Sequence, residues 1–183
     1  MGKRIIIESE ELYLRPFQKK DARNLFRLVY DNQYFWSKVE PDHHPNYYTY
    51  NVQKQRLQDM IHSTGKGKEF NCGIFLREKE QLIGEISIFH ILRGPLNQGM
   101  VGFSLSKDYV GKGYGTQSLA LMTKYAFNDL QLHRVEAAVA PSNIPSISIL
   151  EKNGFVKEGL LRGYLLMKGQ WKDHLLYSKL END

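Results

Sequence analysis

Between a segment that predicts a strand and one that predicts a helix, the chain reads Val110-Gly111-Lys112-Gly113-Tyr114-Gly115-Thr116. Three glycines at alternate positions let the backbone pass close to a ligand. The N-terminus of the following helix would present unpaired N–H groups and a partial positive charge at this loop. The stretch therefore predicts a phosphate-binding site between a strand and a helix.

The glycine spacing of this loop differs from that of the common nucleotide-binding loops. The triphosphatase loop has the form G-x-x-x-x-G-K-[ST] and the dinucleotide loop G-x-G-x-x-G, whereas these three glycines are separated by single residues. Both classes are therefore disfavoured. A plain glycine-rich turn is the remaining structural alternative.

The rest of the chain predicts strands and helices around one sheet. Before the loop, the predicted elements are a strand at 12–16, a helix capped by Asp21, a helix at 50–62 and strands at 70–77, 82–92 and 99–105. After the loop follow a helix, a strand at 135–139, a helix at 143–152 and strands at 155–161 and 171–180. Residues 31–50 mix aromatic residues with prolines, which favours a loop or short helices bordering a substrate cleft. The pattern predicts an α+β domain.

Bulk composition limits the classes of protein that the chain can represent. With 183 residues and 42% hydrophobic residues, it is expected to form a single domain, 1–183. No apolar run is long enough to span a membrane, and the run 1–8 does not have the form of a signal peptide. The net charge of +5 favours polyanionic partners, such as RNA, a ribosome or a phosphate-rich cofactor, but also suits an ordinary solvated surface. No direct DNA binding is expected.

Cysteine and histidine usage argues against disulfides and metal sites. Cys72 is the only cysteine and lies in an apolar run, so we expect a buried core thiol and a cytoplasmic location. His43 and His44 are adjacent but have no obvious second pair of ligands, so no metal site is predicted.

The glycine loop resembles the acetyl-CoA pyrophosphate loop of GNAT-superfamily enzymes, written [QR]-x-x-G-x-[GA]. Gly113 and Gly115 match its glycines, while Val110 stands at the Gln/Arg position. In the family this loop binds largely through backbone amides, so the departure removes one side chain. The resemblance implies that acetyl-CoA is the co-substrate and that residues 110–116 bind it.

A second stretch resembles the other GNAT signature. Asn143 and Ser146 open a predicted helix that ends in Lys152-Asn153-Gly154-Phe155, matching N-x-x-S followed by K-x-G-F. The resemblance implies that Asn143 binds the pantetheine arm and that Ser146 donates a proton to the leaving thiolate. It also implies main-chain contacts to pantetheine from the strand before the loop, at Phe103 and Leu105. Helix capping alone would also explain an asparagine and a serine at these positions.

The C-terminal run from Gly169 to Tyr177 resembles the G-x-W-x-D-H-x-L-Y tail of RimJ/RimL-type enzymes, the ribosomal-protein alanine N-acetyltransferases. The resemblance covers almost the whole chain. It implies a GNAT fold, with a central, mixed but mostly antiparallel sheet of about seven strands flanked by about four helices. It also implies direct acetyl transfer from acetyl-CoA to the N-terminal α-amino group of a protein, in particular a ribosomal protein.

The general base is the least determined part of the site. Many relatives carry a glutamate on the strand before the loop, but here residues 98–102 contain no acid. Glu85, on the preceding strand, is the candidate base, although it could equally face solvent. Asp173 and His174 are adjacent on a strand and point to opposite faces, so they cannot both serve one cleft.

Two other functions fit the same residues. A GNAT that acetylates a small amine is the nearest alternative; a polycationic acceptor would need clustered acids, which Glu8, Glu10, Glu11 or Asp42 would have to supply. An inactive acyl-CoA sensor is the alternative from another class, and the missing strand glutamate favours it. An exposed strand edge near the C-terminus would allow pairing with a second copy, so a homo-oligomer is also considered.

Overall fold

The computed structural model describes residues 7–183, which form four α-helices, three short 3-10 helices and eight strands. The expectation about the N-terminal run falls mainly on residues 1–6, outside this range. The strands are β1 (Ile7–Glu8), β2 (Leu12–Pro16), β3 (Phe70–Leu76), β4 (Gln81–Leu92), β5 (Gln98–Leu105), β6 (Arg134–Val139), β7 (Val156–Met167) and β8 (Gln170–Leu180). The helices are α1 (Ala22–Trp36), α2 (Tyr50–Gly65), α3 (Tyr114–Asn128) and α4 (Ile144–Lys152).

All eight strands belong to one sheet with the order β1-β2-β3-β4-β5-β6-β8-β7. Neighbouring strands are antiparallel except β5 and β6, which are parallel. The predicted mixed, mostly antiparallel sheet with four flanking helices is confirmed. It has one strand more than expected, because the two residues of β1 pair with β2.

Two apolar clusters hold the helices against the sheet. One contains Ile86 and Ile88 of β4 with Leu119 and Met122 of α3. The other lies beneath α1 and α2 and includes Leu25, Trp36, Leu57 and Phe75. Since alternate residues of a strand point to opposite faces, Glu85 and Ser87, which alternate with Ile86 and Ile88 along β4, are directed toward the α1–α2 side.

The first helix is longer than predicted, because residues 31–36 continue α1 instead of forming a loop. Asn32 and Trp36 explain the extension: Asn32 accepts a hydrogen bond from the Lys107 amide, and Trp36 bonds to Leu105. Asp21 precedes α1 as predicted, but its carboxylate makes no capping bond to α1 and instead accepts from the Gln18 amide at 2.8 Å. It forms a buried bidentate pair with Arg15 at 2.7 and 2.8 Å.

The C-terminal hairpin is also longer than predicted. β7 continues through a register shift between Leu161 and Leu165 to Met167. Gly163 lies within that shift with φ of +55°, and its amide donates to the Asp173 carboxylate at 2.7 Å. The predicted turn at Lys168-Gly169 is confirmed; both residues have positive φ. Within residues 7–183, no helix has both the length and the apolar character needed to cross a bilayer.

Candidate active site

A gap opens in the middle of the sheet. β5 and β6 pair over only three residues each, Gln98–Met100 with Arg134–Glu136. Beyond this ladder β5 continues to Leu105 and β6 to Val139. The two strands diverge there, so the backbone groups that would continue the ladder face the gap.

Hydrogen bonds at the two ends of β5 show which residues point into the gap. The carbonyl of Asn97 accepts from the His133 amide on the β6 side, at 2.8 Å. The Ser106 amide donates to the Ile83 carbonyl on β4, also at 2.8 Å. Backbone groups alternate along a strand, so the main chain of Phe103 faces the gap. An extended amide-bearing arm, such as pantetheine, could pair with it as a strand would.

The Leu105 carbonyl has a partner within the protein. It accepts a 2.8 Å hydrogen bond from the indole Nε1–H of Trp36. This bond fixes the end of β5 against α1. Of the two residues predicted on β5 for main-chain binding, Phe103 is therefore the better placed to use its carbonyl.

The glycine loop has the conformation that an anion site requires. Gly111 and Gly113 have φ of +76° and +82°, in the region where glycine is favoured, and Gly113 is the N-cap of α3. The Gln117 amide donates to the Gly113 carbonyl at 3.0 Å. The amides of residues 114–116 precede that bond and project from the helix end, beside its partial positive charge. These features fit the pyrophosphate of coenzyme A.

Packing against α4 fixes the position of this helix end. A Cβ atom on Gly115 would lie 2.7 Å from Cδ1 of Ile149, so the two helices approach closely there. The Asn153 side chain donates to the Thr116 carbonyl at 3.2 Å. Lys112 folds back onto its own loop, with its ammonium 2.8 Å from the Asp108 carbonyl.

The second signature lies at the start of α4, where Asn143 is the N-cap. Its side-chain oxygen accepts from the Ser146 amide at 3.3 Å, so the capping interaction is present. Both residues also line the large cavity described next. Capping uses the amide oxygen and the Ser146 backbone, and leaves the Ser146 hydroxyl available for chemistry.

One cavity of about 830 Å³ joins the gap to the space beneath α1 and α2. Its walls include Phe103, Val110, Asn143 and Ser146 on the gap side. On the other side they include Phe35, Trp36, Glu40, Tyr47, Arg56 and Glu85. The expectation that residues 31–50 border a cleft is confirmed.

A compact group of charges lies in the α1–α2 half of the cavity. Arg56 Nη2 donates to both carboxylate oxygens of Glu85, at 2.9 and 2.8 Å. Burial alone would lower the pKa of Arg56, but the neighbouring carboxylates, Glu85 foremost, leave it raised. Glu40 instead accepts a 2.7 Å hydrogen bond from the Ser104 hydroxyl. Burial raises the pKa of Glu40; the Ser104 bond opposes the shift and the charge of Glu85 adds to it.

The predicted base, Glu85, thus lies in the cavity and in an ion pair in which both of its oxygens accept from one nitrogen of Arg56. Both acceptor oxygens of Glu85 are therefore already engaged by a side chain of the protein. A role for Glu85 as the base remains a prediction. Sequence reasoning missed Glu40, whose only signal was its place before Pro41 in the aromatic-rich segment.

The remaining candidate residues, Asp173, His174 and Cys72, differ in how deeply they are buried. Asp173 is exposed, whereas His174 is 4% exposed and lines the cavity with its ring 5.5 Å from that of Tyr164. The two therefore face different environments, as predicted. Cys72 is fully buried, and burial raises the pKa of its thiol, so it is a core residue. No group of three or more His, Cys, Asp or Glu side chains within residues 7–183 is arranged to hold a metal ion.

Comparisons with known proteins agree with this geometry. The model of the acetyltransferase (GNAT) domain family matches residues 11–156. The protein named "Probable N-acetyltransferase YjcK" from Bacillus subtilis is 35% identical over 97% of this chain and 98% of its own length. The structure of ribosomal-protein-S5-alanine acetyltransferase from Vibrio fischeri has a TM-score of 0.91, with 31% identity and 98% of each chain covered.

A solved structure that contains CoA-disulfide is also similar to this chain. Mycobacterium smegmatis RimJ, solved in complex with CoA-disulfide, has a TM-score of 0.87 and 28% identity, covering 92% of this chain and 81% of its own. The chain belongs to the GNAT acetyltransferase family and is an acetyl-CoA-dependent N-acetyltransferase.

Proposed function

We propose that this enzyme acetylates the N-terminal α-amino group of a protein, in particular a ribosomal protein, within the cytoplasm. The Vibrio fischeri neighbour carries that activity in its name and is similar over 98% of each chain. The observation that carries the proposal is the charge of the acceptor half of the cavity. That half must receive an amine, and its charges indicate which kind.

The charged residues lining the cavity balance one another. Lys38 and Arg56 contribute two positive charges, and Glu40 and Glu85 contribute two negative ones, a sum of zero apart from the histidines. A polyamine carries several positive charges and would need an excess of acids. A peptide N-terminus brings a single ammonium group, which this balance suits.

The acids that a polyamine site would require lie elsewhere. Glu8 pairs with Arg77 on the surface at 2.8 Å, and Glu11 accepts from the Gln117 side chain at 2.6 Å. Asp42 accepts from the Lys168 amide. These three acids form their bonds outside the cavity wall. Their positions argue against a polyamine as the acceptor.

The chemistry of the amine favours the same substrate. Freeing an α-amino group with a pKa of about 8 from its proton at pH 7 costs about 1.4 kcal/mol, against about 4.6 kcal/mol for a lysine near 10.4. A carboxylate with a raised pKa is a sufficient base for an α-amino group and a poor base for a lysine side chain. The raised pKa of Glu40 is in keeping with this demand.

The proposal assigns separate tasks to the residues of the gap. The amides of residues 111–116 would hold the pyrophosphate of acetyl-CoA, with the side chains of Val110 and Lys112 at the loop surface. The main chain of Phe103, the backbone N–H of Leu105 and the side-chain amide of Asn143 would position the pantetheine arm. Ser146 would protonate the departing thiolate.

The test is thiol release from acetyl-CoA with three acceptors. These are a short peptide with a free N-terminal alanine, the same peptide with a blocked N-terminus and an internal lysine, and spermidine. Ser146→Ala is compared with Ser148→Ala, a serine on the same helix that does not line the cavity. We expect turnover of the free N-terminus only, with kcat reduced roughly 100-fold in Ser146→Ala and unchanged in the control.

Other outcomes would reassign the protein. Turnover of spermidine but of neither peptide would establish the small-amine reading. Tight acetyl-CoA binding without turnover of any amine would favour the inactive sensor. Equal rates for Ser146→Ala and Ser148→Ala would remove Ser146 from the chemistry.

A further inference from the structure

We propose that Glu40 is the general base of this enzyme, which binds the acceptor ammonium group and removes its proton, while Glu85 acts only on Glu40. The acceptor's identity as a protein N-terminus rests on the function proposed above. The role of Glu40 requires only a primary amine.

Glu40 lies in the α1–α2 half of the cavity, next to β5. It is hydrogen-bonded to Ser104, the residue of β5 that follows Phe103. Ser104 is the register partner of Glu85, so both side chains lie on the α1–α2 face of the sheet. Two residues earlier on this face is Gly102, which has no side chain. The ring of Phe89 covers Gly102 on this face, since a Cβ atom there would lie 3.1 Å from Phe89 Cε1. An amine held by Glu40 shares one continuous cavity with Phe103 and Ser146.

The two carboxylates of the cavity differ in how much of their bonding capacity is used. Both oxygens of Glu85 accept from Arg56, at 2.9 and 2.8 Å. One oxygen of Glu40 accepts from Ser104, while the other, among the residues that the structure describes, has His43 at 4.0 Å as its salt-bridge partner. Glu40 can thus accept a proton from an incoming ammonium group without breaking an ion pair to an arginine.

The charges facing Glu40 come from every surrounding element. Glu85 on β4 opposes its ionisation, and Arg56 on α2 favours it. His43 approaches from the same loop as Glu40. Burial raises the pKa values of Tyr47 and Tyr48, and the nearby charge of Glu40 adds to both shifts. Burial and Glu85 together raise the pKa of Glu40, which brings it closer to that of the amine it must deprotonate.

The proton and electron balance of the step is complete. The ammonium group gives one proton to the Glu40 carboxylate, and the nitrogen lone pair then forms the C–N bond to the acetyl carbonyl carbon. The C–S bond breaks, its electron pair stays on sulfur, and the Ser146 hydroxyl supplies the proton for the thiol. The nitrogen returns a second proton to Ser146 and keeps the third as the amide N–H, while Glu40 releases its proton to solvent.

The decisive experiment is the pH dependence of kcat, between about pH 5 and pH 9, for whichever amine the wild type acetylates. Glu40→Gln is expected to lower kcat by about 10²–10⁴-fold and to abolish the rise of kcat with pH. Glu85→Gln is expected to keep most of the activity and to move that rise to lower pH. It removes a negative neighbour of Glu40 and frees the positive charge of Arg56. CoA affinity and thermal stability, measured for each variant, check that the fold is retained.

Glu78→Gln is the charge-matched control, since Glu78 lies in the exposed turn between β3 and β4, and its profile should equal the wild type's. A rise that persists in Glu40→Gln would overturn the proposal. Loss of the rise of kcat with pH in Glu85→Gln or in His174→Gln would also overturn the proposal, and it would identify the substituted residue as the base. If only small amines are turned over, the N-terminal substrate is wrong, yet the same profiles still decide the role of Glu40. Failure to acetylate any amine would overturn both.

Discussion

Replacing Trp36 with phenylalanine should destabilise the protein through one identifiable atom. The indole of Trp36 is 6% exposed, and its Nε1–H donates to the Leu105 carbonyl at 2.8 Å. Phenylalanine keeps most of the ring packing but leaves that carbonyl without its donor. An unpaired buried carbonyl costs about 1–3 kcal/mol. The missing ring atoms add about 1 kcal/mol.

We therefore expect a loss of about 2–4 kcal/mol in the free energy of unfolding. For a chain of this length that corresponds to a fall in Tm of roughly 4–16 °C. Urea denaturation followed by far-ultraviolet circular dichroism measures this without relying on tryptophan emission. The control is Trp171→Phe, because Trp171 is the only other tryptophan and is 67% exposed. If the two substitutions cost the same within about 0.5 kcal/mol, the Trp36–Leu105 bond does not stabilise the fold as argued.

Two further predictions concern the sheet and the cofactor loop. Arg134 lowers the pKa of Glu158 to about 2, so the pair stabilises the fold above the unfolded value near 4.3 and loses this effect as pH falls toward about 2. The difference in unfolding free energy between wild type and Glu158→Gln should therefore be constant above about pH 5 and shrink toward zero in acid, and a difference independent of pH would contradict this. Gly115→Ala places a methyl group against Ile149 and should cost about 1–3 kcal/mol and weaken CoA binding in calorimetry. Gly159→Ala, where the added atom meets nothing within 4 Å, should change neither quantity, and equal effects of the two would refute the packing argument.

Local patterns in the sequence were enough to predict most of the fold. The strands β3 to β6 and the helix after the glycine loop have strong periodicity and end at turn residues, so they were predicted within a few residues. The errors lie where long-range contacts decide the structure. α1 extends to Trp36 because of bonds to residues about 70 positions away, which no local pattern contains.

The candidate site was predicted unevenly for the same reason. The glycine loop and the start of α4 carry their function in short contiguous motifs, so both could be recognised. Glu40 joins the cavity through a hydrogen bond to Ser104, 64 positions along the chain. Glu85 looked like a free carboxylate because its partner, Arg56, comes from a helix 29 positions earlier. Pairings of this kind appear only once the chain is folded.

The short β5–β6 ladder has a consequence for how the molecule holds together. Within residues 7–183, the ladder that joins the five strands β1 to β5 to the three strands β6 to β8 has three residue pairs. A pantetheine arm bound to the main chain of Phe103 would add contacts between these two parts of the sheet, which the short ladder alone joins weakly. Binding of the arm would then also stabilise the folded state. The relative motion of the two parts of the sheet would slow while the arm is bound. The substrate would in this sense be a temporary structural component of the enzyme that consumes it.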